Sequence, residues 1–300
     1  MHVWSIGEVL WDIFPDQERL GGAALNFCAT LQRLGDRATL ISAVGKDERG
    51  RMALERMRSL GLSTEAIAEV KDLPTGTATV SSGEDGEPAF EIPRPAAFDK
   101  ICINSGVLAG VKAASVNWFY FGTLLQTKPE IERFTADLAR NLHPARGFYD
   151  LNLRTGQWNL PLVQRLSRLA SVMKLNEAEA ETLFDLTRAG DEAFSLEVFC
   201  RIWASTYGID VVCVTRGPAG CMIYDKEAFY RVPGYKVSVC DTVGAGDAFA
   251  AAFLHGYERG WPIPQAARFA NALGALVASR AGATPDWSAD EVIAMAESSI

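Results

Sequence analysis

The chain has 300 residues, 48% apolar and 22% charged, the balance of an ordinary soluble globular protein with a large buried core. Its 29 basic against 37 acidic residues leave a net charge of −8, which speaks against broad electrostatic binding of DNA, RNA or anionic lipid. No segment approaches the roughly 18 apolar residues of a membrane span, and the opening "MHVWSIGEVLWDIF" reads as a strand rather than a secretory leader, so a cytoplasmic location is expected.

Along the chain, short apolar runs alternate with amphipathic segments. "VWSIG", "ATLISAVG", "VNWFYFG", "GFYDLNL", "SVMKLN" and "DVVCVTRG" read as strands. "LNFCATLQRLG", "ERGRMALERMRSLG" and "EIERFTADLARNL" read as helices, the first two closed by Gly35 and Gly61. This alternation, with nearly continuous apolar strands, predicts an α/β fold of three layers with a mostly parallel central sheet. Two stretches depart from it. "DIFPDQERLGG" (Asp12 to Gly22) leaves the first strand without starting a helix, and "GTATVSSGEDGEPAFEI" (Gly76 to Ile92) alternates with period two around a turn-rich centre. We expect a single domain over 1–300, with 12–22 and 74–98 forming a small β-sheet lid. From Asp210 to Val239 the runs "DVVCVTRG", "GCMIYD", "AFYRV" and "YKVSV" predict an antiparallel edge. Helices are expected at 246–258, 264–279 and 289–298.

The six cysteines (28, 102, 200, 213, 221 and 240) have no C-x-x-C spacing, mostly lie in apolar runs and are expected as buried thiols. His2, His143 and His255 lack metal-ligand spacing, and Trp4, Trp11 and Trp118 fit strand packing.

Four motifs carry the chemistry. "DTVGAGDAF" is a glycine-rich turn entering a helix. It lacks the G-K-[ST] of a Walker loop, and Phe249 stands where a dinucleotide fingerprint has its third glycine. The amides at such a helix start favour an anion, yet Asp247 sits there, either as a helix cap or as a general base beside a site for a transferring phosphoryl group. "GEVLWD" places Glu8 and Asp12 near the end of the first strand, and "GGAALNF" places Gly21, Gly22 and Asn26 at a helix entry. Carboxylate and amide together suit a polyhydroxylated ligand. "TRGPAG" and "KLNEAE" each follow a strand.

Together, in this order, these motifs resemble the ribokinase-like, or PfkB-type, carbohydrate kinases. "GGAALNFCATLQRLG" is similar to that family's G-G-x-x-x-N helix start, although Ala24 stands where glycine or proline is common. Gly45, Asp47 and Gly50 resemble its G-x-D-x-x-G, Asn176 and Glu179 its N-x-x-E, and Thr215, Gly217 and Gly220 its T-x-G-x-x-G. Asp241 to Asp247 complete D-T-x-G-A-G-D. The resemblance implies a core of about nine strands with a β lid, with ATP as phosphoryl donor and Mg²⁺. It implies Asp247 as catalytic base with the amides of Gly244, Ala245 and Gly246 as anion hole. Asp12, Gly22 and Asn26 would contact sugar hydroxyls, and Arg154 the substrate or the transferring phosphate. Asn176, Thr215, Gly217 and Gly220 would contact nucleotide, with Asn271 beside the adenine and Glu179 acting through water on Mg²⁺. Asp241 and the carbonyl of Val243 match a monovalent cation site for K⁺, and a homodimer through the lid fits the family.

"GEVLWDIFP" and "PRPAAFD" resemble fructokinases, and "YDLNLR" matches a strand shared with 2-keto-3-deoxygluconate kinases. D-fructose phosphorylated at its 6-hydroxyl is therefore the favoured reaction, with 2-keto-3-deoxygluconate, ribose and nucleosides as alternatives. A non-catalytic sugar or nucleotide sensor would have no need of Asp247. A dinucleotide-dependent oxidoreductase would need a G-x-G-x-x-G after the first strand, which "GEVLWD" lacks.

Overall fold

The structure, a computed structural model, describes residues 1–82, 88–101, 115–187 and 193–298. Its strands are β1 (His2–Ile6), β2 (Leu10–Ile13), β3 (Glu18–Gly21), β4 (Arg37–Gly45), β5 (Ile67–Val70), β6 (Gly76–Ser82), β7 (Pro88–Glu91), β8 (Trp118–Gly122), β9 (Arg146–Asp150), β10 (Val172–Asn176), β11 (Val211–Thr215), β12 (Cys221–Tyr224) and β13 (Phe229–Val232). Its helices are α1 (Ala23–Arg33), α2 (Glu48–Ser59), α3 (Pro129–Asn141), α4 (Leu160–Ser167), α5 (Glu177–Thr187), α6 (Leu196–Tyr207), α7 (Ala245–Glu258), α8 (Ile263–Ala278) and α9 (Ala289–Glu297).

Nine strands form the main sheet in the order β13-β12-β11-β10-β9-β8-β1-β4-β5. The seven from β11 to β5 pair in parallel, and β12 and β13 close one edge antiparallel. Every residue of β1 is buried, as a strand covered on both faces requires. One hydrophobic cluster unites α1, α2, α7 and α8 on one face, and a second unites α3 to α6 on the other. This is the expected three-layer α/β architecture. Trp4, Trp11 and Trp118 are core residues, as their strand pattern predicts. A second sheet, ordered β3-β2-β6-β7, arises from the two departing stretches. The β6–β7 pairing is the expected hairpin, with residues 83–87 at its centre outside the described residues.

Local chemistry places the helices. Asp47 caps α2 by accepting the Gly50 N–H at 2.8 Å, and also accepts from the Thr75 N–H and hydroxyl at 2.7 and 2.6 Å. The "VGKDERG" motif thus ties the β4–α2 turn to the segment that enters β6. The small Ala24 is matched to Gly7, where an added Cβ would lie 2.3 Å from the Ala24 Cβ.

Two expectations fail. "YKVSV" forms no strand. Pro233 has no N–H to donate and Gly234 follows it, so the ladder stops at Val232. Cys240, beyond this segment, is exposed, whereas Cys28, Cys200, Cys213 and Cys221 are buried as expected, and Cys102 lies outside the described residues.

A buried ionic knot joins the N-terminus to α7. Asp36, fully buried, accepts from the Met1 α-amino group at 2.9 Å, His255 Nδ1 at 2.6 Å and Arg259 Nη2 at 3.0 Å. Burial pushes its carboxyl up, but hydrogen bonds from His255, Arg259 and the α-amino group outweigh it and bring the pKa to about 2. The stabilisation is therefore present above the unfolded pKa near 4 and is lost as pH falls toward 2. Asp36→Asn leaves buried cations unpaired and is expected to lower the unfolding free energy at neutral pH by about 3 kcal/mol, measured by urea titration. A midpoint unchanged from the parent chain contradicts this.

Candidate active site

Two cavities open at the C-terminal ends of the parallel strands and meet at the start of α7. The first, of about 230 Å³, is walled by Asp12, Asn26, Arg154, Lys174, Glu179 and Asp247, with Ala78 and Ile92 contributed by the small-sheet region. The second, of about 380 Å³, runs past Thr215, Gly217 and Gly220 to Val239, Phe249, Asn271 and Ala278. They share Thr215, Thr242 and Gly246.

Backbone geometry at the junction explains the sequence. Gly244 caps α7 in the left-handed region (φ 81°), and a Cβ there would lie 2.4 Å from the Ala283 carbonyl oxygen. The chain thus turns tightly enough to aim the first N–H groups of α7 at the junction, where they lack intrahelical acceptors. The Ala245 amide reaches the Thr242 carbonyl at 3.3 Å. Gly22 (φ 117°) starts α1 close against the Glu8 carbonyl, and a Cβ there would come within 2.2 Å of that oxygen.

Asp247 lies in the first turn of α7, 7% exposed, and its Oδ2 accepts the Asn26 amide at 2.8 Å. Burial and then the charge of Asp150 push its pKa up, Lys174, Asn26 and Arg154 pull it back, and it stands at about 6. Asn26 therefore touches the candidate base itself, while its Oδ1 is buried with no hydrogen-bond partner. An orphaned acceptor on a residue that lines the smaller cavity suits a hydroxyl donor. Asp12 on β2, also buried, is raised to about 7 by burial and then by the Asp247 charge, with Arg154 opposing. Glu8 is raised by burial and accepts the Ala23 N–H at 3.3 Å.

Asn176 and Glu179 bind each other's backbone. Asn176 Oδ1 accepts the Glu179 N–H, and Glu179 Oε2 accepts the Asn176 N–H, both at 2.8 Å. The remaining Glu179 oxygen takes the Leu153 N–H at 2.7 Å, which fixes the backbone beside Arg154. Asn271 donates to the carbonyls of Val232 and Pro233 at 3.2 and 3.0 Å, so it shapes the larger cavity by holding the end of β13. The expected strand "YKVSV" becomes part of that wall through Tyr235, Lys236, Val237 and Val239. "PRPAAFD" does not line the smaller cavity. Arg94 pairs with Asp99 and donates to the Leu124 carbonyl at 3.0 Å, bracing the entry to the small sheet.

Lys174 is the residue that motif reasoning missed. Its ammonium sits 2.9 and 3.2 Å from the Asp150 carboxylate, which also accepts the Tyr120 hydroxyl at 3.0 Å. A Cβ at Gly246 would lie 3.1 Å from Lys174 Nζ, so the charge stands directly beneath the start of α7. Burial opposes that charge, but Asp150 and Asp247 together hold its pKa above the ordinary lysine value. "SVMKLN" shows only a strand with one charged residue, which period-two patterning assigns to neither face of a doubly covered sheet.

Residues 12–290 match the profile described as "pfkB family carbohydrate kinase". The chain belongs to the PfkB family of carbohydrate kinases. Among its relatives, Fructokinase-1 of Oryza sativa subsp. japonica is 29% identical over 99% of this chain and 98% of its own. Aminoimidazole riboside kinase of Salmonella typhimurium is 27% identical over 94% and 90%. The crystal structure of a fructokinase with bound ATP from Xylella fastidiosa superposes with a TM-score of 0.85 at 23% identity, over 98% of this chain and 97% of that one. The fold is thus ribokinase-like. Among the described residues, no helix of this PfkB-family chain is long and apolar enough to cross a membrane.

Proposed function

We propose that the chain is an ATP-dependent sugar kinase whose favoured acceptor is the 6-hydroxyl of D-fructose. The observation that carries this reading is the meeting of two cavities at one helix start, with a buried carboxylate at the junction. In this reading the small sheet acts as a lid over the sugar, and the larger cavity takes the nucleotide. Its apolar wall of Val239, Phe249 and Ala278 suits a flat base, and Thr215 and Gly217 lie between that wall and the junction.

The chain's own residues divide the work. Asp12 and the Asn26 carbonyl oxygen accept sugar hydroxyls. Asn26 Nδ2 fixes Asp247, which takes the proton as the hydroxyl attacks the γ-phosphorus. The Gly244 and Gly246 amides at the α7 start, the expected Ala245 amide being turned instead to the Thr242 carbonyl, with Lys174 beneath and Arg154 opposite, stabilise the negative charge on the transferring group. Among the described residues no three His, Cys, Asp or Glu side chains converge on a metal position. Mg²⁺ keeps its waters and binds largely through phosphate, and Glu179, on the wall of the smaller cavity, is the carboxylate that would hold one of those waters through a lone pair its two backbone bonds leave open. Mg²⁺, when bound, neutralises phosphate charge.

Fructose is favoured by "GEVLWDIFP" and by the similarity to the rice fructokinase, and an aminoribosyl acceptor by the similarity to the riboside kinase. ADP release from Mg-ATP, measured over fructose, ribose, 2-keto-3-deoxygluconate, tagatose, glucose, adenosine and aminoimidazole riboside, tests both. Fructose is expected to give the highest kcat/KM, by about tenfold or more. Preference for another acceptor replaces the sugar assignment and keeps the mechanism, whereas no turnover with any of them removes the kinase reading.

A further inference from the structure

Asp241 organises the loop that sets the helix start. Its backbone N–H reaches the Ala278 carbonyl at 3.2 Å, its Oδ1 accepts the Val243 N–H at 3.0 Å, and its Oδ2 accepts the Gly282 N–H at 3.1 Å. It thereby joins the segment 241–244 to the segment after α8, where Ala283 backs Gly244. A half-buried carboxylate in this role favours a counter-charge.

Arg19 of β3 supplies it. Its Nη1 donates to Asp241 Oδ2 at 2.8 Å, across 222 residues of sequence. The guanidinium is itself held in place, with Nε donating to Gln17 Oε1 at 3.0 Å and the group lying 5.3 Å from the Phe14 ring centroid. The Asp241 side chain is only 15% exposed. A resident monovalent cation does not fit here. The carboxylate already receives three N–H groups, and the guanidinium 2.8 Å from Oδ2 neutralises it and would repel a second positive charge placed against it.

We infer that Arg19 is a positioning residue that takes the place of a monovalent cation at Asp241, and that it ties the small sheet to the loop forming the anion hole. Resting on the kinase reading for its catalytic consequence, the inference makes ATP binding and phosphoryl transfer indifferent to K⁺. A guanidinium carried on the small sheet also sets the anion-hole geometry only when that sheet is in place.

Three measurements are made on the full chain, in KCl and in choline chloride at equal ionic strength: the melting temperature, Mg-ATP affinity by calorimetry without sugar, and turnover of the best acceptor. The parent chain is expected to differ by less than about twofold in affinity and turnover between the two salts, with the same melting temperature. Arg19→Gln is expected to lose about tenfold or more in turnover in choline chloride. In the same variant KCl restores part of the loss and raises the melting temperature, because the freed carboxylate now takes the ion. Arg19→Lys, which keeps the charge but not the fork, falls between. The melting temperatures read the Asp241 site even when no acceptor is turned over, so failure of the kinase reading and failure of this inference are separate results. Activation of the parent chain by KCl of about fivefold or more overturns the inference, as does an Arg19→Gln loss equal in both salts.

Discussion

Asp247→Asn is expected to lower kcat by about 10³-fold or more, with the Mg-ATP dissociation constant changed by less than about threefold. The amide keeps the shape of the carboxylate and can still meet Asn26, but it cannot take a proton from an attacking hydroxyl. The same substitution has an opposite effect on folding. The Asp247 pKa rises from 3.8 to about 6 in the folded chain, so between these values the folded state holds more protons than the unfolded state. Stability from this group is therefore greatest below pH 4 and declines as pH rises through 6. At neutral pH the ionised carboxylate costs roughly 2–3 kcal/mol, which the neutral asparagine recovers. The variant should be nearly inactive and at least as stable as its parent. In the parent, kcat/KM should fall on the acid side of about pH 6, as the base becomes protonated. Turnover within tenfold of the parent removes Asp247 from the role of base. A variant that is inactive because its melting temperature has collapsed removes the argument that the site strains the fold.

Much of this was legible in the sequence, for identifiable physical reasons. Doubly covered parallel strands must be nearly all apolar, so β1, β4, β8, β10 and β11 stand out as runs. Left-handed glycines after α1 and α2 mark the helix ends. At the site, tight backbone approach left a trace in composition. Gly22 and Gly244 cannot carry a Cβ, and the helix starts that they permit bring Asn26 and Asp247 to 2.8 Å. The illegible part depends on pairing across the fold. Arg19 meets Asp241 from a strand whose own pattern makes it an exposed charge. "YKVSV" alternates as a strand should, but Pro233 ends the ladder before it begins. β5 is four residues long at a sheet edge, too short for its periodicity to register. "PRPAAFD" carried a family likeness that suggested the substrate, yet its charged residues spend themselves on each other.

Lys174→Met should lower kcat by about 10²–10³-fold, the loss associated with removing one donor from an anion hole. A single substitution cannot assign this loss, because it also leaves Asp150 fully buried and unpaired, at a cost to stability of about 3–5 kcal/mol. Asp150→Asn in the same chain removes the orphaned charge, and the Tyr120 hydroxyl can still donate to the amide oxygen. The double variant should therefore regain most of the stability lost by the single one. Its pH profile should move as well. Lys174 lowers and Asp150 raises the Asp247 pKa, so the acid limb of kcat/KM shifts to higher pH in Lys174→Met and returns toward about 6 in the double variant. The rate should not return, because the positive charge beneath Gly246 is still missing when negative charge builds on the transferring group. Measured kcat, urea midpoints and pH profiles for the parent and both variants separate these effects. A double variant with the parent's stability and the parent's rate makes Lys174 a partner of Asp150 alone. A stable double variant still slowed by about 10²-fold places the lysine among the groups that stabilise the transfer.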